Sequence, residues 1–242
     1  MTSYNSYTQT MQYNPFIRLN RFTGLQNRDA EEHVFSLLKR EYLELDYDAY
    51  GKLSDTLIEK LDLFAKWNMV YGDRKISVAS HGNYFDFCNT EIRRQYFPGF
   101  TRTIAKGCLL MTTLPTEIPG TTRIFSDSPA TTLRYHNEPI AFKKDGFTIY
   151  STAPEKTLFH YVDREYLKRL HQMCKMIGTD IAMLIEGNKL IVLFHGAKEL
   201  FHMEGADKKM REKEASTDVH TLLYMRMMTY PFCIWEEMGY CA

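Results

Sequence analysis

Between Tyr166 and Phe194 the chain carries its most constraining pattern: a helical stripe, a glycine, then two apolar runs flanking Glu186-Gly187-Asn188-Lys189. Leu167, Leu170, Cys174 and Ile177 recur three or four residues apart, which lines them along one helical face. Asp163 stands where a carboxylate accepts from the first free amides of that helix, and Gly178 where the helix must stop. Residues 181–185 (IAMLI) and 190–194 (LIVLF) are uninterrupted apolar runs, so strands built from them need cover on both faces. The order helix, strand, turn, strand predicts a central hairpin under the helix stripe.

Upstream, from 69 to 150, the texture changes to short β-branched or aromatic runs at 75–79, 84–87, 100–104, 108–112, 123–125 and 147–150. Gly72-Asp73, Lys106-Gly107 and Asp145-Gly146 punctuate them, predicting an antiparallel meander with one short helix over 89–95. Asn27 is placed to cap a helix through about Glu44, with Phe35, Leu38 and Tyr42 on one face. Ser54 starts a second, carrying Leu57, Leu61 and Phe64, so LDYDAYGK between them reads as the turn of an αα-hairpin. Pro154 opens a helical turn over 155–160, and Val219, Leu222, Leu223, Met227 and Tyr230 mark a last helix before Pro231. The predicted class is α+β: a mostly antiparallel sheet flanked by an N-terminal helical hairpin and C-terminal helices. With 242 residues and no Pro/Gly/Ser-rich linker, 27–242 reads as one domain behind an arm, 1–26. Within it, 27–66 is the helical hairpin, 67–204 the sheet-containing core and 205–242 a C-terminal helical segment.

Thirty basic residues against thirty acidic ones leave no net field to steer a polyanion or an anionic membrane. The longest apolar runs are five residues, far below the roughly 18–20 of a spanning helix. Five scattered cysteines, with no CxxC pair, fit reduced thiols. A soluble cytoplasmic protein with no membrane partner is expected.

Motifs for chemistry are missing. There is no GxSxG elbow, HExxH helix, phosphate-binding glycine loop or GxGxxG turn. Ser80 and His81 are adjacent on a strand, so they point to opposite faces and cannot act as nucleophile and base. His195, Glu199 and His202 share a face only on one helix, which Gly196 interrupts. Asp46, Asp48 and Gly51 start a calcium-loop spacing, but Tyr50 and Leu57 occupy positions that need oxygen ligands. No catalytic residue, cofactor or metal is therefore expected; the rival reading is an enzyme whose polar pocket is assembled from distant residues.

The arm carries Tyr4, Tyr7, Tyr13, Phe16 and Phe22 with Arg18 and Arg21, and no acidic residue before Asp29. That is too aromatic for a flexible tail, which cannot bury such side chains, so the arm is expected to dock on a protein partner or a second copy of the chain. Arg93 and Arg94, beside Tyr96 and Phe97, repeat the chemistry. Single-stranded nucleic acid is bound by this mixture, as are protein interfaces; the neutral chain favours the interface. The expected function is a non-enzymatic structural or protein-interaction module in a larger assembly.

Several blocks recur in a recognisable order: Lys106-Gly107 leading to Met111; Gly120-Thr121-Thr122-Arg123-Ile124; the strand 147–150; Ser151-Thr152-Ala153-Pro154-Glu155; the helix 167–177; and apolar strands around Gly187-Asn188-Lys189-Leu190. Over about 69–203 this order resembles a family of uncharacterised bacterial proteins known only as a domain of unknown function. Longer members carry membrane helices ahead of the domain, where this chain has the predicted helical hairpin and the arm. The resemblance thus implies neither tethering nor any catalytic residue here.

Overall fold

The computed structural model describes residues 44–48, 51–53, 67–80, 83–127, 140–197, 200 and 208–229, together with Ser36. They form one antiparallel sheet: β1 (Glu44–Asp48), β2 (Met69–Ser80), β3 (Asn83–Phe97), β4 (Phe100–Ser126), β5 (Ile140–Lys144), β6 (Phe147–Ser151) and β7 (Asp180–His195). The order is β1-β2-β3-β4-β6-β5, with β7 paired to β4. Three helices, α1 (Glu155–Tyr161), α2 (Arg164–Ile177) and α3 (Lys208–Met227), follow the sixth strand.

β7 carries sheet pairing along its whole length, and sixteen straight residues would span roughly 50 Å. Yet Thr179 Oγ1 donates to the carbonyl of His195 at 2.8 Å, so the two ends of the strand meet. β7 therefore doubles back, and the fold-back lies at Gly187, whose φ of +58° ahead of Asn188 is the first central position of a type II′ turn. The packing agrees: Ile181, Met183 and Ile185 share one core with Leu190, Val192 and Phe194. Ala182 and Leu184 share the other with Ile191 and Leu193. Those are the same-face partners that a two-residue turn dictates.

β4 clasps this hairpin. Its residues 107–113 pair with 189–195 and its residues 121–125 with 182–186, while the intervening stretch crosses the hairpin's turn, Ile118 opposite Gly187. The two limbs of β7 thus lie in the middle of the sheet, with β3, β2 and β1 beyond one half of β4 and β6 and β5 beyond the other. All residues of the two apolar runs are at most 2% exposed.

One face of the sheet is covered by α2 and α3 through Leu167, Leu170, Cys174, Val219, Leu222 and Met225. Asp163 caps α2 by accepting from the Tyr166 amide at 2.7 Å, and Gly178 closes it in the left-handed region. The Tyr166 hydroxyl donates to the Met228 carbonyl at 3.0 Å and ties α2 to the end of α3. The opposite face is a second core built on Cys88, Ile92, Ala105, Leu109, Phe125 and Tyr150.

The N-terminal helical hairpin is corrected. Residues expected to end its first helix and form its turn are β1, paired with β2 from Glu44 opposite Ala79 to Asp48 opposite Lys75. Alternation explains this: Tyr47 is buried while Asp46 and Asp48 face out, a period of two that a turn does not need. Ser36 is helical, and the predicted helix from Ser54 lies outside the described residues. In place of the expected α+β class, the described residues make a mostly antiparallel sheet with α1, α2 and α3 after its sixth strand, and no N-terminal helical hairpin is found among them.

The short helix expected over 89–95 is also corrected, since those residues lie within β3. Asn89 holds that stretch by long-range bonds: its Nδ2 donates to the Leu200 carbonyl and its Oδ1 accepts from the Leu200 amide, both at 3.0 Å. Among the described residues no helix is long and apolar enough to cross a membrane.

Candidate functional site

β3 and β4 run on past their neighbour. The last paired residue of β2 is Met69, opposite Arg93. Just beyond, Asn68 closes the edge, donating to the Gln95 carbonyl at 3.0 Å and accepting from its amide at 2.8 Å. From Tyr96 onward the two strands project as a tip, with Phe97 opposite Phe100 across Pro98-Gly99. Proline before a glycine at φ +85° is the type II turn pattern, and a Cβ added at Gly99 would meet nothing within 4 Å.

The apex is aromatic and in water. Phe97 and Phe100 stack, centroids 5.1 Å apart and planes 13° apart, and Tyr96 leans on Phe100 at 5.6 Å. They are 61%, 50% and 45% exposed, respectively. Stacking hides part of each ring from water and keeps the group together.

Behind the rings lie three arginines in two different situations. Arg93 grips Glu91 through Nε and one terminal nitrogen, both at 2.7 Å, and lies over the Tyr71 ring at 4.8 Å. That bidentate bond holds the Glu91 carboxyl below its ordinary range, and Thr103 adds a bond of 2.8 Å. Arg94 instead lies over the Tyr96 ring at 4.5 Å, and its cross-strand partner is Arg102. Two like charges directly opposite repel, so this pair disfavours the free protein and favours an anion beside it.

A concavity of about 490 Å³ lies elsewhere, where the C-terminal end of α2 meets both ends of β7. Ser126, Asp127, His171, Cys174, Asp180 and His195 line it. His195 Nδ1 accepts from the Lys106 amide at 3.4 Å, which assigns the ring proton to Nε2. Burial lowers the His195 pKa against the pull of Asp180, so the ring is neutral at neutral pH. Burial first, and Asp180 second, push the Cys174 thiol up to about 12. A thiol so protonated is no nucleophile. Among the described residues no group of three or more His, Cys, Asp or Glu is placed to hold a metal.

Tyr4, Tyr7, Tyr13, Phe16, Arg18, Arg21 and Phe22 lie outside the described residues, as do His81, Glu199 and His202. Arg94, Tyr96 and Phe97 come together at the tip through the Phe100 ring, whereas Arg93 lies behind it, over Tyr71 and bonded to Glu91. Sequence reasoning missed Phe100 and Arg102 as their partners. The signal that finds them is Pro98-Gly99, a turn pair that pins residue 97 opposite 100.

Comparison with known proteins gives three findings. Residues 103–229 match a family described as "Protein of unknown function (DUF3137)". No functionally curated protein matches the chain. A crystal structure of the mycobacterial trehalose monomycolate transport factor A, TtfA, is similar at TM-score 0.42 and 11% identity, over 85% of this chain and 97% of that one.

Proposed function

We propose that this chain, which belongs to the DUF3137 family of proteins of unknown function, is a non-enzymatic interaction module of a larger assembly that docks through exposed aromatic side chains. The observation that carries the reading is the stacked Phe97–Phe100 pair, 61% and 50% exposed on a projecting turn. Burying a phenylalanine is worth about 1.5–3 kcal/mol, and the same fold buries its central hairpin almost completely. Rings left at an apex are therefore available to a partner. The arm, 1–26, belongs to the proposal on composition alone, as a second docking segment for a protein partner or another copy of the chain.

The stacking also weighs against a nucleic-acid platform, because Phe97 and Phe100 already use one ring face each on one another. A photo-crosslinking side chain at position 97 of the full chain tests the reading in the cell of origin. A discrete adduct from position 97, with a bare control at the exposed Lys143, is the expected result. Equal yields at the two positions would overturn it.

A further inference from the structure

We infer that the β3–β4 tip seats on an anionic lipid surface, an assignment that rests on the interaction reading and names the partner of the same site.

Three features of the tip point to lipid. Its apex, Tyr96 to Phe100, presents three rings, a proline and a glycine, and no charged side chain. Pro98 has no N–H and Phe97 pairs with Phe100, so part of the backbone that enters an apolar layer with the rings needs no partner there. Tyrosine and phenylalanine on such an edge are the residues that settle at a membrane interface.

The second feature is depth. Arg94 lies three residues behind Phe97 and Arg102 two behind Phe100. At about 3.3 Å per residue their Cα atoms stand roughly 7–10 Å behind the apex, and the Arg94 guanidinium reaches forward to lie over the Tyr96 ring at 4.5 Å. Interfacial elements bury their apolar side about 5–10 Å into the boundary between acyl chains and headgroups. Phenylalanines at the acyl boundary thus leave both arginine side chains within reach of the headgroup phosphates.

The third is charge. Between residues 91 and 103 three arginines face one glutamate, so a neutral chain carries a local excess of two positive charges at this tip. Glu91 engages Arg93, whereas Arg94 and Arg102 stand opposite one another without a carboxylate among the described residues. A sheet of headgroup phosphates supplies anions to both at once. The arm of a second copy cannot, since 1–26 holds Arg18 and Arg21 and no acid.

The test is co-sedimentation of the full chain with vesicles of phosphatidylcholine alone and of phosphatidylcholine mixed with phosphatidylserine. Binding should prefer the mixed vesicles and weaken as salt rises. Arg94→Gln and Arg102→Gln should each lower the partition about fivefold. Phe97→Ser with Phe100→Ser should lower it about tenfold or more, while Lys143→Gln leaves it unchanged. The phenylalanine variant should melt with the parent, because the rings it removes are exposed, and the arginine variants should melt no lower, because each relieves a repulsion between like charges. Equal binding to both vesicles, or binding indifferent to the tip, overturns the lipid assignment; so does tip-dependent binding of a single-stranded oligonucleotide without vesicle binding. If vesicles fail but position 97 crosslinks to a discrete protein, the interaction reading survives its lipid assignment. If neither lipid nor protein is captured there, both fall.

Discussion

Thr179 Oγ1 donates to the main-chain oxygen of His195 at 2.8 Å although sixteen residues separate the two. The bond closes the base of the β7 hairpin, and Thr179 is 7% exposed, so the carbonyl it serves is largely shielded from water. Thr179→Val keeps the shape of the side chain and leaves that carbonyl without its hydroxyl. The expected loss is about 1–3 kcal/mol in a denaturant titration, with the folded-state far-UV spectrum unchanged.

The two limbs above that base carry the centre of the sheet. Leu184→Ala and Val192→Ala each open a cavity in a side of the core, at sites 2% and 0% exposed. Each should cost about 1–4 kcal/mol, whereas Lys189→Ala, exposed beside the turn, should cost almost nothing. Chemical denaturation of the three variants checks this. Equal midpoints for Leu184→Ala and Lys189→Ala would refute the central position of the hairpin.

What was legible in the sequence is what is local. The stripe Leu167, Leu170, Cys174 needs only helical spacing, and Asp163 and Gly178 act within a turn of it. The apolar runs on either side of Gly187 likewise declare two strands. What was not legible depends on partners far along the chain. Asp46 and Asp48 read as a turn until Ser77 and Lys75 lie opposite them. Asn89 and its neighbours read as helical until Leu200, 111 residues later, claims the Asn89 amide. The clasp of β4 around β7 is invisible to any window, because its halves pair with segments some 60 to 90 residues on. At the tip, Arg94 and Tyr96 are recognisable as interface chemistry, but Arg102 joins them only through the turn at Pro98-Gly99, which sets Arg94 against Arg102.

His195 gives a pH dependence with a definite sign. Its folded pKa is depressed by burial below the ordinary 6.5, with Asp180 pulling the other way. Between the folded value and 6.5 the unfolded chain binds the extra proton, so stability falls as pH drops through that window and levels off below it. His195→Gln removes the titrating ring. Thermal unfolding followed from neutral to mildly acidic pH should show a steeper decline for the parent than for the variant. Parallel curves would mean that His195 does not contribute.

Glu91 couples the stability of the tip to its charge. Its carboxyl is held below the ordinary range, first by the bidentate bond from Arg93 and then by Thr103. A depressed carboxylate contributes stability that is present above its unfolded pKa and is lost as pH falls through the folded one. Glu91→Gln should therefore lower the melting temperature at neutral pH, and the gap from the parent should close in acid once the parent's carboxyl is protonated. The substitution also frees Arg93 and raises the local excess from two positive charges to three. Adsorption to phosphatidylserine-containing vesicles should rise about fivefold at neutral pH, against the direction of the stability change. A contact with a neutral partner would follow stability alone, so melting and vesicle adsorption measured on the same Glu91→Gln sample separate the two effects. Opposite movement is the outcome that an anionic surface requires.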